Sequence, residues 1–205
     1  MNDKVILFGG TFDPIHYGHL RVADYACEKI KAQQVVLIPV LCSPHKESLP
    51  AADGLARFEM ISLALAERKN FRVSDCELKR AGPSYTLDTV RHFRTEYGKG
   101  VNFYWLVGAD AVKDLARWYG IKELVDACNL CVMHRAGFER PVFAGLGGVL
   151  EPAQVEKLRR NVIRTPLIDI NSTEIRCKLV SGADVSGMLD PKVLEYIKEN
   201  GLYIA

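Results

Sequence analysis

The stretch VILFGGTFDPIHYGHLRVADYACEKI, residues 5–30, decides the fold of this chain of 205 residues. It begins with a short apolar run, residues 5–8, which is typical of a strand covered on both faces in a parallel sheet. Gly9 and Gly10 then allow a sharp turn and a close approach of the backbone to a ligand. Beyond Gly18, apolar residues recur at helical spacing, so the stretch predicts a strand, a glycine-rich turn and a helix.

Two histidines, His16 and His19, lie near the start of this predicted helix. Because they are three residues apart, both imidazoles can share one face of the first turn. Free N–H groups and the positive end of the helix dipole make such a place a natural phosphate site. Histidines in a strand-to-helix loop can also be hydrogen-bonded structural residues. We therefore predict a nucleotide-phosphate site, with structural histidines as the alternative.

Two common nucleotide-binding motifs do not occur in this chain. The glycines Gly9, Gly10 and Gly18 do not form G-x-G-x-x-G, and no later acidic residue clearly offers a partner for a ribose. This disfavours a hydride-transferring dehydrogenase. The loop G-x-x-x-x-G-K-[ST] is also absent, which argues against a P-loop kinase or ATPase.

Further apolar runs predict five more strands, separated by helix-like stretches. The runs are QVVLIPV from Gln34, residues 71–74, NFYWLV from Asn102, LCVM from Leu130 and VIRTPLIDI from Val162. This alternation predicts an α/β fold, a Rossmann-like open and mainly parallel sheet with helices on both faces. The length fits a single domain over residues 1–205, with a C-terminal helical segment from about residue 172. Asp53 and Asp190 are expected to cap two of the helices, and Ser84 or Thr86 is expected to cap the helix that follows residue 84.

Composition limits the classes of function. Hydrophobic residues make up 48% and charged residues 25%, which is typical of a soluble globular protein. The net charge of +2 and the lack of a basic run give no case for nucleic-acid binding. No segment is apolar over the length of a membrane span, and no signal peptide is visible, so we expect a cytoplasmic protein. Nothing in the sequence excludes a homo-oligomer.

One cysteine pair requires a choice between metal chemistry and packing. Cys128 and Cys131 form a C-x-x-C with His134 three residues later, but no second C-x-x-C completes a tetrahedral zinc site. Cys131 also lies in the apolar run LCVM, where a cysteine behaves as a small core residue. We therefore favour a structural role for the pair and expect no protein-held metal.

Motifs along nearly the whole chain resemble one enzyme family. They are GGTFDPIHYGHL from Gly9, SPHK ending at Lys46, SYTLDT from Ser84, VGAD ending at Asp110, RWYGIKEL from Arg117 and NSTEIR from Asn171. The tetrad from His16 to His19 resembles the His-x-Gly-His mark of the nucleotidylyltransferase superfamily. Together with SYTLDT and RWY, it resembles the nicotinate-nucleotide adenylyltransferases, which join ATP and nicotinate mononucleotide to give deamido-NAD and pyrophosphate in NAD biosynthesis.

The resemblance implies a fold of the nucleotidylyltransferase type and an ATP site. His16 and His19 would contact the ATP phosphates and stabilise the transition state as the catalytic residues. The remaining residues implied at ATP are Gly9, Gly10, Thr11, Phe12, Gly108, Asp110, Ser172, Thr173 and Arg176. Asp110 could instead cap a short helix. Asn171, where the family usually has serine, forms a capping box with Glu174 in the structural interpretation.

The resemblance also implies a pocket for the second substrate. Tyr85, Trp118 and Tyr119 are candidates for stacking on the pyridine ring. Thr86 and nearby backbone N–H groups would hold the nicotinate carboxylate. Lys46 and Arg135 could bind the mononucleotide phosphate, or be solvated surface charges. Cys42 stands where the family often has asparagine.

The expected cofactor is Mg²⁺ carried on the ATP phosphates, since no protein cage for it is visible. Two alternatives remain at this level. One is a related nucleotidylyltransferase acting on nicotinamide mononucleotide, phosphopantetheine or glycerol phosphate. The other is a nucleotide-binding sensor that keeps the fold and not the reaction. The set of His16, His19, Lys46 and Arg176 disfavours the sensor, because binding alone does not require it.

Overall fold

The computed structural model describes residues 3–44, 49–135, 141–166 and 168–203, with only the backbone at Arg135. Its six strands form one sheet in the order β3-β2-β1-β4-β5-β6, and every neighbouring pair is parallel. The strands are β1 Lys4–Gly10, β2 Gln34–Pro39, β3 Phe71–Val73, β4 Asn102–Gly108, β5 Asn129–Arg135 and β6 Val162–Thr165. The predicted open parallel sheet is confirmed, and it is wholly parallel over the described residues.

Helices cover both faces of this sheet. They are α1 Tyr17–Ile30, α2 Gly54–Leu65, α3 Thr86–Tyr97, α4 Ile121–Ala127, α5 Pro152–Arg160, α6 Ser172–Val180 and α7 Pro191–Glu199, with 3₁₀ helices at Ala109–Arg117 and Ala144–Leu146. Because side chains alternate along a strand, Ile6 packs into one core with α1, α2, α6 and α7. Leu7 packs into the other core with α3, α4 and α5. No helix in the described ranges is long and apolar enough to cross a membrane.

Side-chain caps fix where several helices begin. Asp53 accepts a hydrogen bond from the N–H of Ala56, and Asp190 accepts one from Lys192. The prediction that Ser84 or Thr86 caps α3 is wrong. Tyr85 is the capping residue, without a side-chain hydrogen bond. The Ser84 hydroxyl instead accepts from the backbone N–H groups of Leu41 and Cys42, at 3.3 and 3.4 Å, and so ties the segment before α3 to the loop after β2.

The strand order positions the functional site. The chain runs outward from β1 through β2 to β3, then returns to add β4 on the other side of β1. The order therefore reverses between β1 and β4. In open α/β sheets, ligands bind in the crevice beyond the carboxyl ends of the strands at such a point. Gly10 ends β1 and Gly108 ends β4, so the predicted glycine and histidine residues lie at this crevice.

Candidate active site

Two clefts open at the carboxyl ends of the strands and share part of their walls. The larger has a volume of about 890 Å³ and is bordered by α1, α6 and the ends of β4, β5 and β6. The smaller has a volume of about 330 Å³ and is bordered by the loop after β2, the start of α3 and the segment after β4. Phe8, Val107, Gly108 and Asp110 line both clefts. A molecule lying across this boundary would contact both at once.

The two histidines form a stacked pair in the larger cleft. Their ring centroids lie 3.7 Å apart with an interplanar angle of 25°. His16 caps α1, and its Nδ1 accepts a hydrogen bond from the backbone N–H of His19 at 3.3 Å. Because Nδ1 accepts, the neutral His16 ring carries its proton on Nε2. Capping and ligand binding are therefore compatible in this residue, since they use different nitrogens.

Close packing around these rings explains the glycine and aromatic residues of the motif. A Cβ on Gly18 would lie 2.8 Å from two atoms of the His16 ring, so only glycine lets the ring lie there. The Phe12 ring contacts that of His19 edge-on, with centroids 5.0 Å apart. Phe12 is 1% exposed. The side chain of Phe12 therefore supports His19 from the core, and the structure does not bring it to either cleft wall.

The start of α6 forms the wall opposite the histidines. Ser172 lines the larger cleft and donates a hydrogen bond from its hydroxyl to the carbonyl of Pro14, 3.1 Å away. Asn171 also lines the cleft, and its side chain accepts from the N–H of Glu174 at 2.9 Å, so the Asn171 half of the predicted capping box is confirmed. Arg176 donates to the carbonyl of Asp13 at 2.8 Å and to the Thr173 hydroxyl at 3.4 Å.

Thr173 and Arg176 lie beside the larger cleft and do not line it. Arg176 is committed to the loop before α1, and 31% of its side chain is exposed. Its guanidinium Nη1 lies 4.0 Å from Oδ2 of Asp13. In this conformation Arg176 holds the loop that carries His16. Contact with a nucleotide would require Arg176 to share or exchange these hydrogen bonds.

Asp110 lies in the first turn of the 3₁₀ helix Ala109–Arg117, where Gly108 is the capping residue without a side-chain bond. The alternative that Asp110 caps this helix is therefore wrong. Its carboxylate is exposed at the boundary between the clefts. A Cβ on Gly108 would lie 2.4 Å from Oδ1 of Asp110. Glycine at position 108 thus leaves room for that carboxylate.

The smaller cleft gathers four residues predicted for the second substrate and three predicted for ATP. The first group is Tyr85, Thr86, Trp118 and Tyr119, and the second is Gly9, Gly10 and Thr11, which line this cleft and not the larger one. The rings of Tyr85 and Tyr119 lie 4.5 Å apart at an interplanar angle of 30°. Tyr119 is 51% exposed, whereas Trp118 packs partly against the core. Aromatic faces are therefore available here for a flat ring.

Lys46, predicted to bind the mononucleotide phosphate, lies outside the described residues. At Arg135 the backbone ends β5 beside β6, paired with Thr165. Its neighbour His134 lines the larger cleft. The chain therefore brings position 135 close to the larger cleft, whereas the sequence assigned it to the second substrate.

Sequence reasoning missed two residues of the smaller cleft. Trp105, on β4, lies against Gly9, where a Cβ would come within 2.5 Å of its ring. Glu77 is 3% exposed, and its Oε1 accepts a hydrogen bond from the Thr89 hydroxyl at 2.6 Å. Burial raises the pKa of Glu77, while bonds from Thr89 and Ser84 and the charge of Arg80 oppose that rise. Trp105 lies in an apolar strand and Glu77 in a charged turn, and neither context gives a sequence signal for a place in the cleft.

The cysteine pair is structural. Cys128 is 3% and Cys131 1% exposed. Burial raises the pKa of both thiols to about 12. They are therefore protonated at neutral pH and unsuited to redox or zinc chemistry. Within the described residues, no group of three or more His, Cys, Asp or Glu side chains could hold a metal ion.

Comparison with known proteins identifies the family of this chain. The cytidylyltransferase-like family matches residues 7–178. The chain is 36% identical to the probable nicotinate-nucleotide adenylyltransferase of Clostridium tetani over 203 residues, covering 98% of both chains. It is 38% identical to the enzyme of the same name from Moorella thermoacetica, covering 98% of this chain and 91% of that one.

A solved structure shows the same fold. It is Plasmodium falciparum nicotinic acid mononucleotide adenylyltransferase complexed with NaAD, with a TM-score of 0.74 at 20% identity. The match covers 98% of this chain and 97% of that one. On the strength of the sequence relatives, the chain belongs to the cytidylyltransferase-like family and, within it, to the nicotinate-nucleotide adenylyltransferases.

Proposed function

We propose that this chain transfers the adenylyl group of ATP to nicotinate mononucleotide across the boundary between its two clefts. The chain is a nucleotidyltransferase of NAD biosynthesis, as its full-length relatives are. One observation carries the assignment of sites: a histidine-lined cleft and an aromatic-lined cleft share Gly108 and Asp110 at the crevice between β1 and β4. Two substrates bound in these clefts would meet there.

The larger cleft suits the triphosphate of ATP. His16 caps α1 and His19 lies on its first turn, where backbone N–H groups and the helix dipole favour negative charge. Ser172 and Thr173 begin α6 across the cleft and add a second helix start. Asp110 is exposed where a carboxylate could accept hydrogen bonds from ribose hydroxyls. Gly9, Gly10 and Thr11 line the smaller cleft, so in this assignment they would meet ATP only at the boundary between the clefts, where small residues allow a close approach.

The smaller cleft suits the pyridine nucleotide. Tyr85, Trp118 and Tyr119 offer ring faces for stacking. Thr86 is the first residue of α3, so its N–H belongs to the donors at a helix start. Such donors favour a carboxylate over a neutral amide. This preference supports nicotinate mononucleotide over nicotinamide mononucleotide as the second substrate.

The chemistry requires positioning and charge stabilisation. A phosphate oxygen of the mononucleotide forms a bond to the α-phosphorus of ATP. The bond between this α-phosphorus and the oxygen that bridges it to the β-phosphorus breaks. Pyrophosphate leaves with that electron pair. Because the attacking phosphate is already ionised at neutral pH, no general base is needed. His16 and His19 then act by donating hydrogen bonds to oxygens on which charge develops.

Mg²⁺ would be held by the ATP phosphates and water. Octahedral Mg²⁺ commonly takes its ligands from substrate phosphates and water, and the larger cleft would hold those phosphates beside His16 and His19. When bound, the ion would neutralise charge on the triphosphate.

We further propose that residues 1–205 form one domain, because Ile175 of α6 and Val193 of α7 pack into the same core as β1. A cytoplasmic location stays a prediction.

The test is pyrophosphate release by the purified protein with ATP and Mg²⁺. The acceptors to compare are nicotinate mononucleotide, nicotinamide mononucleotide, phosphopantetheine and glycerol phosphate, with ATP alone as the blank. We expect the highest kcat/KM with nicotinate mononucleotide. An equal or higher value with nicotinamide mononucleotide would reject the substrate assignment. Binding of ATP without turnover of any acceptor would favour the sensor.

A further inference from the structure

The loop between β1 and α1, residues 11–16, is held by donors from distant parts of the chain. Arg57 of α2 is 1% exposed and donates from Nη1 to the carbonyl of Thr11 at 2.8 Å. Arg176 of α6 donates to the carbonyl of Asp13, also at 2.8 Å. The buried guanidinium of Arg57 donates to a backbone carbonyl of this loop and so fixes its course. Any group that joins this network therefore acts on the position of His16.

The side chain of Asp13 is the centre of the network. It is 4% exposed, and its oxygens accept hydrogen bonds from the N–H groups of Ala51 and Ala52 at 2.7 and 3.0 Å. Its Oδ1 also accepts one from the phenol of Tyr203, at 2.5 Å. Tyr203 lies 190 residues away along the chain. The end of the described chain thus contacts the loop that leads to the catalytic histidines.

The backbone at Tyr203 adopts an uncommon conformation and is held by α7. Tyr203 has a φ of 58°, in the left-handed region that aromatic residues rarely adopt. The segment before it is tied to α7 by a hydrogen bond from Leu202 N–H to the carbonyl of Ile197 at 2.9 Å. Burial, with the bond to Asp13 and its charge, raises the pKa of the Tyr203 phenol. The phenol therefore remains a hydrogen-bond donor through the neutral pH range.

We propose that Tyr203 is a positioning residue for the adenylyl transfer, acting through Asp13 on the loop that carries His16. This inference rests on the proposed function. Without the phenol, the buried Oδ1 of Asp13 would keep only the bond from the Ala52 N–H and would lose its second donor, so the loop would relax toward another donor. A shift of about 1 Å at groups that align reacting atoms can reduce a rate up to about a hundredfold. Ground-state binding at the second cleft, which Tyr203 does not contact, would stay unchanged.

The test compares Tyr203→Phe with Tyr196→Phe in the full chain. Both changes remove one hydroxyl, and Tyr196 lies on α7 and not on the loop network. We expect Tyr203→Phe to lower kcat about tenfold, with KM for nicotinate mononucleotide within about twofold of the wild type. Deuterium uptake over residues 11–20 should rise in this variant and not in Tyr196→Phe. Circular dichroism of both variants checks that they are folded.

A double-mutant cycle with Asp13→Ala, which removes the acceptor, separates this contact from a general loss of stability. If the phenol acts through Asp13, the double variant should be no slower than Asp13→Ala alone. A kcat of Tyr203→Phe equal to that of Tyr196→Phe would overturn the proposal, as would additive effects in the cycle. If the wild type itself turns over no pyridine mononucleotide, the proposed function fails, and the exchange measurement still tests the contact.

Discussion

The two clefts share a wall but differ in how they are built. In the larger cleft, stacked histidines lie on a loop whose carbonyls and Asp13 carboxylate are held by arginine, tyrosine and backbone donors. In the smaller cleft, half-exposed aromatic rings stand over loops joined by Ser84 and Glu77. The first arrangement fixes charge-stabilising groups, and the second offers a ring-shaped surface. We therefore expect the first to control kcat and the second to control KM for the acceptor.

The largest effect should come from His19→Ala in the larger cleft. Removing one preorganised donor to a developing negative charge typically lowers kcat by about 100- to 1,000-fold. We expect this loss with KM for nicotinate mononucleotide nearly unchanged, measured by pyrophosphate release. His92→Ala is the matched control, since His92 lies half-exposed on α3 and away from both clefts. Activity of His19→Ala close to that of the control would contradict the role given to His19.

Asp110→Asn, at the boundary between the clefts, should weaken the binding of ATP. Hydrogen bonds to a charged group contribute about 1.5–3 kcal/mol, so loss of the charge predicts a rise in KM for ATP of at most roughly 10- to 140-fold. Asp114→Asn, four residues further along the same 3₁₀ helix, is the control. KM values for ATP and acceptor show which substrate Asp110 serves. A rise for the acceptor alone would move Asp110 to the smaller cleft.

Tyr119→Ala should affect the smaller cleft alone. Ring pairs contribute about 0.5–1.5 kcal/mol beyond burial, which predicts a rise in KM for nicotinate mononucleotide of roughly 2- to 13-fold. KM for ATP should not change. Tyr119→Phe keeps the ring and should restore the wild-type value. If both variants bind the acceptor equally poorly, the hydroxyl and not the ring face is what matters.

The smallest effect is a pH-dependent change in stability from Glu77. Because burial raises its pKa, the folded protein holds this proton more strongly than the unfolded chain. Glu77 therefore contributes more stability as pH falls toward the ordinary carboxyl range, and the contribution is lost as pH rises through the folded pKa. Glu77→Gln cannot gain this proton. We expect Tm of the wild type minus Tm of Glu77→Gln to increase from about pH 8 to about pH 5.

Glu67→Gln is the matched control for this series. Glu67 is exposed, and its hydrogen bond to Lys192 lowers the pKa of its carboxyl. Its contribution is lost only as pH falls through that lowered pKa, below the range measured. The difference between the wild type and Glu67→Gln should stay flat. A flat line for Glu77→Gln as well would show that its carboxyl is not perturbed.

Much of the fold follows from the sequence because each strand is a short apolar run bounded by turn residues. The six predicted strands occur in the sheet, and the Asp53, Asp190 and Asn171 caps hold because side-chain caps are local. The capping residue of α3 was predicted incorrectly because Ser84 bonds a loop 42 residues away. Local propensity cannot anticipate such a long-range partner.

The candidate site divides in the same way. The sequence spacing predicts that His16 and His19 share a face, since three residues make one helical turn. It could not show that Phe12 supports His19 from the core, or that Arg176 is spent on the Asp13 carbonyl. Glu77 and Tyr203 gave no signal at all. Their roles depend on contacts between segments that only the folded chain brings together.

A crystal structure with a non-hydrolysable ATP analogue, Mg²⁺ and nicotinate mononucleotide tests the central assignment most directly. We predict that both imidazoles lie within hydrogen-bonding distance, about 3.2 Å, of triphosphate oxygens, with the pyridine ring beside Tyr119. A triphosphate bound away from His16 and His19, or a pyridine ring in the larger cleft, would contradict it.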